Sequence, residues 1–345
     1  MEQNILVKTP GTRDRRIDRM KGFLCLLMLL IHMVYYLGYE QTGSEVWKMI
    51  SHASNLLGFP CFLFCFGFVC ERAYLSKNDR AAVRGRLIKR FFIILAAYYV
   101  SALIINVLLI TGRFSLVAAQ RIIHLNSIEG VPFLLAFGLQ FLLLFFFYNG
   151  VNRLLSKGIF VAIAVALSLG FACLPVIQID LPLVSLFLKV ADQSGFPMLP
   201  YAGFFLLGAY LSKRSISFDW RVGLFVLLGG VAFVGYCLLK RALPSRLPPS
   251  VFWVLGAYPM VYGLYLVSGP IKVPLIDKVL EPFAKHTLYY LTISNVILAL
   301  YDFFTRRHGF LMPKLWYIPC YILLVLVCFG LFQLYKLLWR KRVKA

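Results

Sequence analysis

The chain has 345 residues, 61% of them hydrophobic and only 14% charged, with a mean hydropathy of +0.80 and a formal net charge of +22. A soluble domain of this length would be nearer half apolar and a quarter charged, so this composition excludes a water-soluble fold. The cations sit in short clusters between apolar runs of about 20 residues; this excludes a nucleic-acid surface and points to the positive-inside pattern, with membrane lipid and an anionic cytosolic ligand as partners.

The apolar runs lack strict two-residue alternation, so helices are the backbone solution that closes its own hydrogen bonds in lipid. Residues 1–21 form a basic tail with Lys8, Arg13, Arg15, Arg16, Arg19 and Lys21, expected on the cytoplasmic side. The first span is predicted at 22–39, too long for the apolar core of a cleaved leader. A polar outer segment precedes a second span at 51–75, which contains the Gly58-Phe59-Pro60-Cys61-Phe62-Leu63-Phe64-Cys65-Phe66-Gly67-Phe68 run. Its proline and glycines permit a break or close helix packing. The strongest internal basic cluster follows, with Lys77, Arg80, Arg84, Arg86, Lys89 and Arg90.

Further spans are predicted at 91–111, 131–148, 159–177, 196–211, 222–239, 251–268, 287–304 and 315–338. The stretch 178–195 reads as an outer, partly helical re-entrant loop. The turn from Lys240 to Pro249 is basic yet falls outside, against the charge rule. An inner loop carries Lys272, Lys278 and Lys285, and residues 339–345 form a second basic tail. The expectation is an all-α polytopic integral membrane protein: a single unit over 1–345, about ten transmembrane helices, both termini inside.

Chemistry concentrates in the first span. At about 100° and 1.5 Å per residue, Lys21 and His32 lie on nearly one helix face, roughly 16 Å apart along the axis. Asp18, Cys25 and Met28 share that face. An ionisable ring at this depth is costly unless it faces protein or a water-filled cavity, so the helix is expected to line an active site or a conduction path. The other histidines fall at span ends or in loops: His52 reads as interfacial, and His124, His286 and His308 carry no assigned chemistry. Asn55, Asn106, Gln140 and Asn295 read as interhelical hydrogen bonds. The eight cysteines lie within or at the ends of apolar runs, and neither a disulfide framework nor a metal site is expected.

The run from Ile17 to Gly22 followed by Leu30-Ile31-His32 resembles the opening of the membrane acyltransferase-3 family, in which a basic residue and a histidine are separated by ten residues. Pro60 to Phe68, Arg86-Leu87-Ile88-Lys89-Arg90, and Phe196 to Tyr201 with Phe204 to Gly208 are similar to later motifs of that family. Lys89 stands where an arginine is usual, and Ser294 takes the place of a usual histidine. The resemblance implies an acyltransferase of the cell inner (plasma) membrane, moving an acyl group, usually acetyl, from cytosolic acyl-CoA (acetyl-CoA) to a hydroxyl of a cell-envelope glycan or its lipid-linked precursor. His32 would be the catalytic base, as suits a ring titrating near neutrality. Lys21, Arg86, Lys89 and Arg90 would hold the donor's phosphates, with Asp18 orienting Lys21 from one turn away. Two alternatives stand beside this reading. One is a transporter or flippase with His32 in its path, although the internal symmetry of such folds is not found. The other is a membrane N-acetylase of a protein amine.

Overall fold

The computed structural model describes residues 14–36, 45–105, 132–178, 182–190, 196–308 and 316–344, apart from residues 78, 217, 247 and 272. Asn106, Arg113, Arg121, His124, Asp180, Asp192 and most of the first tail lie outside them. The described residues are mainly helical, with one isolated bridge between Ile177, just before the 178–195 stretch, and Val190 within it. The elements are α1 (Arg15–Tyr36), α2 (Glu45–Cys70), α3 (Arg80–Ala102), α4 (Pro132–Leu154), α5 (Gly158–Cys173), α6 (Pro182–Ser185), α7 (Met198–Arg214), α8 (Trp220–Lys240), α9 (Val251–Val267), α10 (Pro274–Lys285), α11 (Thr287–His308) and α12 (Tyr317–Lys344). Polar residues start several of them: Asp79 accepts from the Ala82 N–H, Asp219 from Arg221 and Ser250 from Trp253, each satisfying a donor the first helical turn leaves open.

Among the described residues, six helical segments are long and apolar enough to cross a membrane: Glu45–Leu75, Arg80–Ile105, Phe133–Leu154, Trp220–Lys240, Thr287–Thr305 and Tyr317–Leu338. Two more, Gly158–Cys173 and Val251–Val267, are apolar but shorter. This establishes an integral, helical membrane protein.

The helices differ in how much lipid they meet. In α2 and its continuation, 67% of the most apolar stretch is buried inside the protein, against 11% for α8, so α2 is a central post and α8 a peripheral one. Glycine explains how α2 gets so close to α7. A Cβ on Gly67 would collide with the Phe205 carbonyl, and one on Gly208 with the Phe64 carbonyl. The two backbones therefore touch reciprocally, as small residues allow in lipid. α2 then widens into a π-turn, Glu71–Leu75, which aims Glu71 at the end of α7, where the Ser212 hydroxyl donates to its carboxylate at 3.4 Å.

α1 stands between two packing clusters. Met20, Leu24 and Met28 join the cluster containing Phe64, Phe204 and Tyr258, whereas Cys25, Leu29 and Met33 join the one containing Phe283, Tyr290 and Cys328. Four-residue spacing on each stripe is what a helix needs to pack on two sides.

α10 was expected only as an inner loop. Its sequence, Pro-Leu-Ile-Asp-Lys-Val-Leu-Glu-Pro-Phe-Ala-Lys, divides the helix surface into three. Phe283 and Ala284 are buried against the protein; Leu275, Ile276 and Val279 are exposed and apolar; Lys278, Glu281 and Lys285 are exposed and polar. That pattern suits a helix lying along a membrane surface. Its Leu280 backbone meets Gly22 of α1 so closely that a Cβ there would lie 2.5 Å from the Leu280 carbonyl oxygen.

Candidate functional site

The basic ends of α1, α2, α9 and α10 are knotted together by charge. The Arg19 guanidinium donates to both Asp277 oxygens, at 2.5 and 3.0 Å, and to the Ser268 carbonyl at 2.8 Å. Buried Asp14 receives Arg16 and, from the end of α2, Arg72 at 3.5 Å, while the Arg16 guanidinium lies 5.0 Å from the centre of the Tyr265 ring. The hydrogen bond from Arg19 holds the Asp277 carboxyl below the usual carboxylate range.

At the other end of α1 lies a cavity of about 300 Å³. Leu24, Leu27, Met28, Ile31, His32 and Tyr35 supply the α1 wall, which is one continuous helical stripe. α2 contributes Ser54, Asn55, Gly58 and Phe59, α9 contributes Trp253, and α11 contributes Leu291 and Asn295. Phe196 and Tyr201 close it at the start of α7, and Arg246 reaches it from the turn between α8 and α9. The basic turn between α8 and α9 thus delivers a cation to the wall of this cavity.

His32 is half-buried on that wall. The Asn295 side chain hydrogen-bonds the ring, and the ring's Nδ1 is buried with no protein partner. A buried polar atom left open in an otherwise close-packed wall is a cost the protein carries, and a substrate group or water in the cavity could meet it. Trp253 hydrogen-bonds Tyr201, and Arg246 lies close enough to Tyr201 to act on it electrostatically. The site therefore presents one imidazole, two amides, three phenols, a serine hydroxyl, an indole and a guanidinium to a largely apolar chamber. That set can move a proton and position a small polar substrate.

The remaining sequence-selected residues lie elsewhere. Asp18 and Lys21 sit near the start of α1, both half-buried and outside the cavity lining. Arg86, Lys89 and Arg90 are exposed on the first turns of α3. There Arg86 lies 5.9 Å from the Tyr74 ring centre and Arg90 hydrogen-bonds the Tyr74 hydroxyl. The geometry sets Arg86 and Arg90 against Tyr74 of the π-turn, with Lys89 exposed on the same helix, and leaves His32 with Asn295, Arg246, Tyr201 and Trp253 instead. Of these, Asn295 was marked only as an interhelical bond, and Arg246 only as an anomaly of topology. His52 stays on the exposed face of α2, its Nδ1 2.6 Å from the Lys48 carbonyl. Among the described residues no group of three or more His, Cys, Asp or Glu side chains could hold a metal ion.

Residues 13–237 match the model of the family described as heparan-alpha-glucosaminide N-acetyltransferase, catalytic. The chain belongs to that family. No curated protein and no solved structure matches it. The heparan-alpha-glucosaminide N-acetyltransferase assignment makes the chain a membrane acetyltransferase, an enzyme, and it covers α1 to most of α8. It also overturns the resemblance to acyltransferase-3, and with that the expected O-acetylation of a cell-envelope glycan. The Phe-Pro-to-Gly segment ends at Gly67, where α2 meets the Phe205 carbonyl of α7, so that motif records close helix packing and not an acceptor. His32 falls inside the matched segment; Arg246, Trp253 and Asn295 fall beyond it.

Proposed function

We propose that the chain moves an acetyl group from acetyl-CoA to the amine of a glycan amino sugar, with His32 taking the proton that the amine must lose. One observation carries this reading: within the segment matched to an N-acetyltransferase family, a histidine with an unpartnered Nδ1 lines a cavity and is oriented through its ring by Asn295. In the step, the amine nitrogen attacks the thioester carbonyl carbon and a C–N bond forms. An N–H proton passes to the His32 ring, the C–S bond breaks, and the proton ends on the departing thiolate, giving an amide and free CoA. The apolar walls keep water from competing for the thioester. Arg246, Tyr201 and Asn55 are placed to hold the sugar's polar groups.

The donor's charge needs cations. Lys21, oriented by Asp18, and Arg86, Lys89 and Arg90 supply them at the basic end, away from the cavity. The basic clusters support placing that end in the cytoplasm, with about ten spans, both termini inside and the protein in the plasma membrane as one unit over 1–345.

The test is turnover by purified protein in lipid nanodiscs, with acetyl-CoA and an oligosaccharide ending in glucosamine. Acetylation of the free amine is expected, with no reaction when the same sugar is already N-acetylated. His32→Ala should lower the rate roughly 100- to 10,000-fold, the usual contribution of a positioned base. Wild-type protein that acetylates only hydroxyls would overturn the acceptor, and a His32→Ala variant of unchanged rate would overturn the base.

A further inference from the structure

A second cavity, of about 380 Å³, opens at the basic end of the fold. Its lining includes Glu71, Lys77, Arg80, Tyr148, Asn152 and Lys213. The frame is strongly built. The Tyr148 hydroxyl lies 3.3, 3.3 and 3.1 Å from the carbonyls of Tyr74, Leu75 and Lys77, and Asn152 donates to Leu75 at 3.3 Å. Lys213 is spent on Asn152, at 2.8 Å to its side-chain oxygen, and buried Glu71 is met by Ser212.

Two cations remain. Among the described residues, Lys77 and Arg80 have no side-chain hydrogen bond or ion pair, and both are exposed on this cavity. The recess therefore offers a rigid floor of satisfied polar groups under a point-charge ammonium and a forked guanidinium. That combination matches a phosphate group, which takes bidentate contacts from Arg and a point charge from Lys.

We infer that this cavity is a phosphate-recognition site and that it takes the 3′-phosphoadenosine diphosphate end of the acetyl donor. The assignment to the donor rests on the function proposed above; a phospholipid headgroup would offer the same chemistry. Placing the site at the π-turn also gives that irregular turn a use: it carries Glu71, Tyr74 and Leu75 of the frame and leads into Lys77.

The experiment compares wild type with Lys77→Ala/Arg80→Ala in nanodiscs of neutral lipid. It measures binding of CoA and of 3′-dephospho-CoA, and kcat/KM for acetyl-CoA and for S-acetyl-N-acetylcysteamine, a thioester without the nucleotide. Both side chains are exposed, and a thermal unfolding curve confirms that the variant is folded. Loss of two charge-assisted contacts should weaken CoA binding about tenfold or more. The preference for acetyl-CoA over the truncated donor should fall by a similar factor. A wild type that binds CoA no better than dephospho-CoA, with a variant like it, would overturn recognition of the 3′-phosphate. If the double variant leaves both donor measures unchanged but removes a dependence of activity on anionic lipid, the site is a headgroup site and the donor assignment falls. If neither CoA nor anionic lipid distinguishes the two proteins, the phosphate site itself falls. Failure of wild type to use either thioester would instead sink the proposed function, and CoA binding would still report on the cavity.

Discussion

The side-chain amide of Asn295, on α11, hydrogen-bonds the imidazole of His32, on α1. One contact thus joins the segment that matches the acetyltransferase family to the part of the chain beyond it. In the step proposed above, His32 acts only when its ring points at the proton it removes, which would make Asn295 its positioning residue. Asn295→Ala should lower kcat roughly 2- to 12-fold, the worth of one neutral hydrogen bond, with donor KM little changed. Steady-state kinetics in nanodiscs would show it; a pure rise in KM would point to a substrate contact instead.

Arg246 is the cationic side chain on the lining of the His32 cavity among the described residues. It should matter for acceptors that carry an anionic group and much less for neutral ones. Arg246→Gln is expected to raise KM for an anionic acceptor several-fold, an effect that fades as salt rises. Equal changes for charged and neutral acceptors would assign Arg246 to the structure of the turn.

The Arg19–Asp277 pair gives the basic end a pH dependence. Because its pKa is lowered in the folded protein, Asp277 contributes stability that is complete above the ordinary aspartate value, about 3.9. That contribution is lost as pH falls through the lower, folded value. Asp277→Asn should therefore destabilise the protein by about 1 kcal/mol near neutrality, the scale of a partly exposed pair. The difference from wild type should shrink as pH falls below the ordinary aspartate value. Thermal unfolding followed at several pH values checks both statements.

Backbone contact between α2 and α7 leaves no room for a methyl group. Gly67→Ala and Gly208→Ala should each cost about 1–3 kcal/mol through forced repacking. Gly85, on α3, has open space around its Cβ position, so Gly85→Ala should be neutral or stabilising by up to about 1 kcal/mol, the helix-propensity gain. Unfolding midpoints of the three variants, measured side by side, separate close packing from propensity.

Much of this was readable in the sequence. The apolar runs announced helices in a membrane because no other backbone arrangement closes its hydrogen bonds there, and His32 stood out because a titratable ring in such a run is expensive. α10 was missed although Leu275, Ile276, Val279, Leu280 and Phe283 carry a helical period: the run is short, and its lysines read as a loop. Asn295 and Arg246 could not be tied to His32, because the link depends on which helices become neighbours over more than 200 residues of chain. The family resemblance failed for a related reason, since motifs made of Phe, Pro and Gly record close packing and say little about the acceptor.

The glycine-to-carbonyl contacts make α2 and α7 a single stiff beam. Its two ends carry walls of the two cavities: Asn55, Gly58 and Tyr201 at one, Glu71 and Lys213 at the other. A close-packed pair of this kind transmits displacement instead of absorbing it. Prying the two backbones apart at Gly67 or Gly208 would therefore disturb both linings at once.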